Sequence, residues 1–233
     1  MKPRLLVIRI FFLFALSLFY LISCTQDAYD KGEGEYSLMR GDFAEATING
    51  DKQIVSITTD EGERLPLKEN QTAKWVTTAD TTYRCMLYYN KVKGSDGTSV
   101  ADVLSIGEVP CPGIHPQSEF EKELKTDPVK FESIWMSKSG KYLNMSLLLM
   151  TGNTEDTTAI HQLAFVSDTL ITHSNSTRTL HVCLHHDQNN VPEYYSTQAY
   201  VSFLVDSIPA DSIHFTINTY NGPIIKTLYL HRH

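Results

Sequence analysis

Positive charge is scarce in this chain: 20 Lys and Arg stand against 27 Asp and Glu, a formal net charge of −7. Phosphate backbones are held by clustered cations, so nucleic-acid binding is set aside, and with it a polybasic contact with a membrane surface. Catalytic signatures are missing as well. There is no Gly-x-Ser-x-Gly elbow, no His-Glu-x-x-His and no glycine-rich phosphate loop, which removes the sequence case for a hydrolase elbow, a zinc protease helix or a nucleotide site. Paired carboxylates on distant strands would leave no motif, so their absence weighs little. A function has to be argued from a site, and none is visible. The chain is therefore read as a non-enzyme with no catalytic residue, no metal and no cofactor. Cysteine is limited to Cys24, Cys85, Cys111 and Cys183. The spacing of the last three is no metal motif, and either a Cys85–Cys111 bridge or a buried thiol fits it.

Apolar runs long enough to span a bilayer are also lacking, and the one that comes nearest is the most informative stretch of the chain. Lys2, Arg4 and Arg9 precede the uncharged run Ile10 to Ile22, which is shorter than the roughly 20 residues of a spanning helix and has the form of a secretory signal peptide. It ends in Leu21-Ile22-Ser23-Cys24, which resembles a bacterial lipobox. Residues 1–23 are accordingly expected to be removed and Cys24 to carry the lipid that anchors the protein in the cell envelope, with the outer membrane as the expected site. Residues 24–35, polar, acidic and glycine-containing, are expected to form a flexible tether.

From residue 36 to 109 the apolar positions follow a two-residue period. Asn49-Gly50-Asp51 lies between Ala46-Thr47-Ile48 and Ile54-Val55-Ser56-Ile57, which predicts a hairpin with a type I′ turn. Asp60-Glu61-Gly62-Glu63 reverses the chain again, and Tyr83 to Val92 and Ser99 to Val109 supply two more strands. Five short strands with no helical stripe predict a small closed barrel of the OB type. Pro110, Pro112 and Pro116 then interrupt any strand. Ser118 with Glu121 fits a capping box, which predicts a short linker helix within 110–128. Seven further strands between 129 and 233 predict an immunoglobulin-like β-sandwich. The fold class is all-β.

Particular residues at this stage resemble those of the NigD-like lipoproteins of Bacteroidetes. They are Cys24, Tyr36-Ser37-Leu38, Thr59-Asp60-Glu61-Gly62 and Asp127-Pro128-Val129, then Trp135, Tyr142-Leu143-Asn144, His161, Leu184 to Asn189 and Val201-Ser202-Phe203. The resemblance covers nearly the whole mature chain. It implies an N-terminal OB-type barrel followed by a C-terminal β-sandwich and an envelope location, and it transfers no catalytic residue.

Two constellations could carry chemistry. His181, Cys183 and His185 alternate along one predicted strand and could offer soft ligands to zinc or copper, or form a half-buried sheet face on which Cys183 packs. Trp75, Arg84 and Tyr88 are the ligand-binding candidates, because OB-type barrels present strand faces to oligosaccharides and peptides. Arg84, Met86 and Tyr88 share one face of their strand, and Tyr83, Cys85, Leu87 and Tyr89 the other. The expected function is binding of a glycan, a peptide or a protein partner, with an immunity or accessory role in a bacteriocin-like system as the alternative.

Overall fold

The structure, a computed structural model, describes residues 38–121, 123–156 and 158–230. The signal segment, Cys24 and the tether lie outside the described residues. Five strands, β1 (Arg40–Ile48), β2 (Ile54–Thr59), β3 (Arg64–Gln71), β4 (Thr82–Lys93) and β5 (Ser99–Glu108), close into a barrel in the order β1-β2-β3-β5-β4. The single parallel contact, Leu67 opposite Ala101 between β3 and β5, allows this closure.

Alternation decides what fills the barrel. Cys85, Leu87 and Tyr89 of β4 point inward and are fully buried, while Tyr88 between them is exposed. On β1, Ala44 lies opposite Cys85 and Ala46 opposite Tyr83, and these small side chains in the barrel core leave room for the larger ones. Each buried Ile or Leu contributes about 1.5–3 kcal/mol. The Tyr89 hydroxyl escapes the apolar interior by donating to Asp42 at 2.8 Å. Cys85 is unpaired, with its thiol directed at the Ala44 carbonyl. Burial pushes it up to about 12.

The β1–β2 hairpin forms, but its turn differs from type I′. The positive φ falls on Lys52 (59°), because Asn49 Oδ1 accepts from the amides of Asp51 and Gln53 at 3.1 and 2.8 Å and holds the first half of the turn right-handed. Gly62, at φ 82°, ends the next turn, where its amide donates to Thr59.

Eight strands follow: β6 (Ile114–Pro116), β7 (Lys130–Met136), β8 (Tyr142–Thr151), β9 (Gln162–Thr172), β10 (Arg178–Asp187), β11 (Tyr195–Leu204), β12 (Ser212–Thr219) and β13 (Gly222–Tyr229). They make a five-stranded sheet, β13-β12-β10-β9-β6, and a three-stranded one, β11-β8-β7. Phe203 of the smaller sheet meets Phe165 and Phe215 of the larger at centroid distances of 4.5 and 5.4 Å, edge-on to the first. These rings, with Leu143, Met145, Leu147 and Leu184, form the sandwich core.

The linker differs from its expected form. The helix is a single 3₁₀ turn, Gln117–Glu119, because Pro116 occupies the cap position without a side-chain cap and Phe120 is already extended. Phe120 instead packs edge-on against His185 at 4.9 Å. The stretch read as a break also contributes β6, which pairs in parallel with β9 at Phe165–Ser167.

Candidate functional site at the junction of barrel and sandwich

Every residue of β8 from Tyr142 to Leu147 is buried, on both faces. The inward set fills the sandwich core, and the outward set, Tyr142, Asn144 and Ser146, lies under neighbouring polar side chains. The barrel supplies the principal one. Arg84, only 5% exposed, leaves β4 on its outer face and binds both oxygens of Asp60 at 2.6 and 2.7 Å. Its Nε donates to Ser202 Oγ at 3.3 Å and its second Nη to Asn144 Oδ1 at 3.1 Å. Asn144 Oδ1 also accepts from Ser202 Oγ at 2.7 Å, and Asn144 Nδ2 donates to Asp60 at 3.2 Å. The guanidinium stacks over Tyr142, 4.1 Å from the ring centroid. A buried charge is tolerable only when paired and hydrogen-bonded, and this one is both.

A second ionic contact lies beside it. Burial works against the Glu45 carboxylate, but hydrogen bonds from Lys141 and from Tyr142, the latter at 2.5 Å, outweigh it and hold Glu45 below the ordinary carboxylate range. Burial and the same carboxylate push the Tyr142 hydroxyl up. Phe43 fits between Trp135 and Tyr200, edge-on to each at 5.6 and 5.1 Å. The Ser202 amide donates to the Pro110 carbonyl at 2.9 Å.

Next to this fixed junction lies an open groove of about 400 Å³, between β4–β5 of the barrel and β11 of the sandwich. Met86, Tyr88, Ser105, Glu108, Gln198 and Tyr200 give it its character. Tyr88 lies against the backbone at Gly41, where a Cβ would come within 3.0 Å of the ring. Burial and the neighbouring Tyr88 and Glu132 push the Tyr200 phenol up. Among the described residues, the groove lining holds one carboxylate, Glu108, and no histidine, cysteine, lysine or arginine.

The three residues singled out from the sequence are not brought together. Tyr88 is in the groove. Trp75 packs edge-on against Tyr83 at 5.6 Å, beside the barrel core. Tyr83 in turn ties down the loop after β3, its hydroxyl accepting from the amides of Thr77 and Thr78 at 3.1 and 3.0 Å. Hydrogen bonds from these threonines lower its hydroxyl to about 8. Arg84 is buried with its donors committed, so the ligand-binding role expected of it is corrected to one of joining the domains. Sequence could place it on the outer face of β4 but could not show what covers that face.

The histidine–cysteine strand divides its side chains among separate partners. His181 packs on His214 at 4.7 Å, Cys183 is half-buried, and His185 Nδ1 accepts from the Lys125 amide at 3.0 Å. Among the described residues no group of three or more His, Cys, Asp or Glu is placed to hold a metal.

Several residues that build these contacts were not singled out as site residues from the sequence, although their segments carry the resemblance. Asp60, Trp135, Asn144 and Ser202 lie in separate segments that carry the resemblance, and all meet at the junction. His161, His186 and Asp127 come from other such segments. The two rings stack with Nδ1 of His161 3.0 Å from Nε2 of His186, and His186 Nδ1 reaches the Asp127 carbonyl at 3.0 Å.

The NigD-like C-terminal beta sandwich domain matches residues 113–229. The chain belongs to the NigD-like family. A solved NigD-like immunity protein from Bacteroides caccae is 26% identical, with a TM-score of 0.65 over 80% of this chain and 91% of that one. Two more distant structures share the NigD-like fold. A candidate toxin-related protein from Parabacteroides distasonis is 16% identical, with a TM-score of 0.58 over 82% of this chain and 92% of that one. A candidate lipoprotein from Bacteroides fragilis is 13% identical, with a TM-score of 0.57 over 83% and 98%. No curated protein matches the chain.

Proposed function

We propose that the protein is a lipid-anchored envelope protein that acts by binding a partner in the groove between barrel and sandwich, without catalysing a reaction. The observation that carries this reading is Tyr88: a large aromatic side chain, 39% exposed, at the mouth of an open groove whose walls are locked together by Arg84. An exposed ring on a rigid support loses little freedom on binding and is the usual anchor of a recognition site. A single carboxylate in the lining, with no second carboxylate, histidine, cysteine or lysine beside it among the described residues, favours recognition over hydrolysis by a carboxylate pair. The segment ending at Cys24 and the B. fragilis likeness support the envelope location. Replacing Tyr88 with the photo-crosslinker p-benzoylphenylalanine in the native host tests the reading. A discrete adduct is expected, absent when the crosslinker stands instead at Lys93, and equal labelling from both positions would refute it.

A second reading rests on the B. caccae likeness, since that relative is an immunity protein. Here the partner is a toxin and the protein protects the cell that carries it. Expression in a sensitive strain separates the two readings. Protection against a producer strain's culture supernatant, lost with Tyr88→Ala, would identify the partner as the toxin.

A further inference from the structure

The sandwich has four edge strands, and they are not equally protected. Exposed edges present unpaired N–H and C=O groups, which proteins normally guard with short strands, prolines, bulges or lysines. β6 is three residues long and ends in Pro116. β7 carries Lys130 and a register shift between Phe131 and Ser133. β13 carries Pro223 and Lys226. β11, Tyr-Ser-Thr-Gln-Ala-Tyr-Val-Ser-Phe-Leu, has none of these devices, and its pairing with β8 runs unbroken from Tyr195 opposite Thr151 to Leu204 opposite Tyr142.

The direction of its free groups follows from two bonds. The Val205 amide donates to the carbonyl of Lys141, the residue just before β8, and Ser202 turns its amide away from β8 to Pro110. Successive strand residues bond to opposite sides, so Gln198 and Tyr200 direct N–H and C=O to the same open side as Ser202. Among the described residues no backbone group meets them. That side is the groove, whose far wall is Met86 and Tyr88. The Gln198 side chain is held on the sheet by Glu132 and Ser146, at 2.8 and 3.1 Å, leaving its backbone uncovered.

We propose that β11 is a docking edge, to which an extended peptide of the protein partner adds as a further strand. This rests on the partner-binding reading and names the partner's chemistry. A strand roughly 4.8 Å from β11 would bond to Gln198 and Tyr200 through its backbone, and alternate side chains would meet Tyr88 and Tyr200. The only charge in the groove lining among the described residues is the Glu108 carboxylate, so the peptide carries a basic side chain opposite it. The acidic segment Thr25 to Glu35 of this chain has the wrong charge for that place.

The test uses three synthetic peptides on the isotopically labelled protein, read by amide chemical shifts: Ac-Thr-Val-Lys-Val-Thr-Tyr-NH2, its glutamate-for-lysine counterpart, and a version of the first with N-methylated backbone amides. The first is expected to shift the amides of Gln198 and Tyr200 saturably. The glutamate peptide is expected to bind about five-fold more weakly at low salt, and the methylated one not at all. Gln198→Pro and Ser196→Pro each remove an outward amide the fold does not use, and both are expected to stay folded by circular dichroism while losing the shift. Glu108→Lys is expected to reverse the charge preference. Shifts confined to other strands, undiminished binding of the methylated peptide, saturation by maltohexaose alone, or a dimer of this chain that pairs β11 with its copy would each overturn the proposal. Should the crosslink from Tyr88 persist in Gln198→Pro while the peptide fails to bind, strand addition is wrong and partner binding stands. Loss of both in Gln198→Pro is the expected result, and absence of both the crosslink and the peptide shift in the parent protein removes both readings.

Discussion

Asp60 and Arg84, twenty-four residues apart, meet through two nearly parallel hydrogen bonds of 2.6 and 2.7 Å at the surface where the barrel receives the sandwich. Both belong to the barrel, and both also bond to Asn144 of the sandwich. The pair is thus a salt bridge within one domain and a polar contact between two.

Breaking it by removing Arg84 leaves Asp60, a largely covered carboxylate, without its charged partner. Arg84→Ala is expected to destabilise the protein by about 3–5 kcal/mol in urea. Trp75 beside the barrel core and Trp135 at the junction allow each domain to be followed by fluorescence in single-tryptophan variants. The two probes should report one transition in the parent and two in Arg84→Ala. Coincident transitions in the variant would show that the network does not couple the domains.

Acid should weaken the fold through His161. Burial, and then its neighbour His186, hold its imidazole below the ordinary value of 6.5. Below that value the unfolded chain binds more protons than the folded one, so stability is complete above about pH 6.5 and declines as pH falls towards the folded-state value. His214, lowered chiefly by burial, adds in the same direction. Thermal melts between pH 7 and 5 check this, and His161→Asn should flatten the slope without removing it.

The three described cysteines should separate by reactivity, because the thiolate is the attacking species. At pH 8 a maleimide is expected to label Cys111 first and Cys183 more slowly, and Cys85 only after unfolding, since Cys111 is exposed and the Cys85 thiol is pushed up to about 12 inside the barrel. Mass spectrometry of the labelled peptides gives the order. Prompt labelling of Cys85 would contradict the closed barrel.

Cys24→Ala is expected to release the protein into the aqueous phase of a detergent partition, since acylation needs the thiol. An alanine variant that still enters the detergent after signal cleavage would refute the anchor.

Local patterning made much of the fold legible. The inward set Cys85, Leu87 and Tyr89 could be separated from Arg84, Met86 and Tyr88 by period alone, because the pleat enforces it. What covers each face was not legible, since that depends on partners far along the chain. Arg84 looked like a ligand-binding arginine because Asn144 and Ser202 lie 60 and 118 residues beyond it. Ile114–Pro116 looked like a break because its pairing partner, β9, begins almost fifty residues later. The capping box at Ser118 and Glu121 predicted a helix on local grounds and lost to the packing of Phe120 on His185.

The unbroken run of the barrel strands, residues 40 to 108, bears on how the protein assembles as the chain is synthesised N-terminus first. The barrel can close while the sandwich is still being synthesised, and closure alone brings Asp60 to Arg84. The arriving sandwich then strips water from an ion pair that already exists, rather than from two free ions, which lowers the dehydration barrier to docking. Vectorial emergence therefore suits this chain, and a permutant that presents the sandwich first should dock its barrel more slowly.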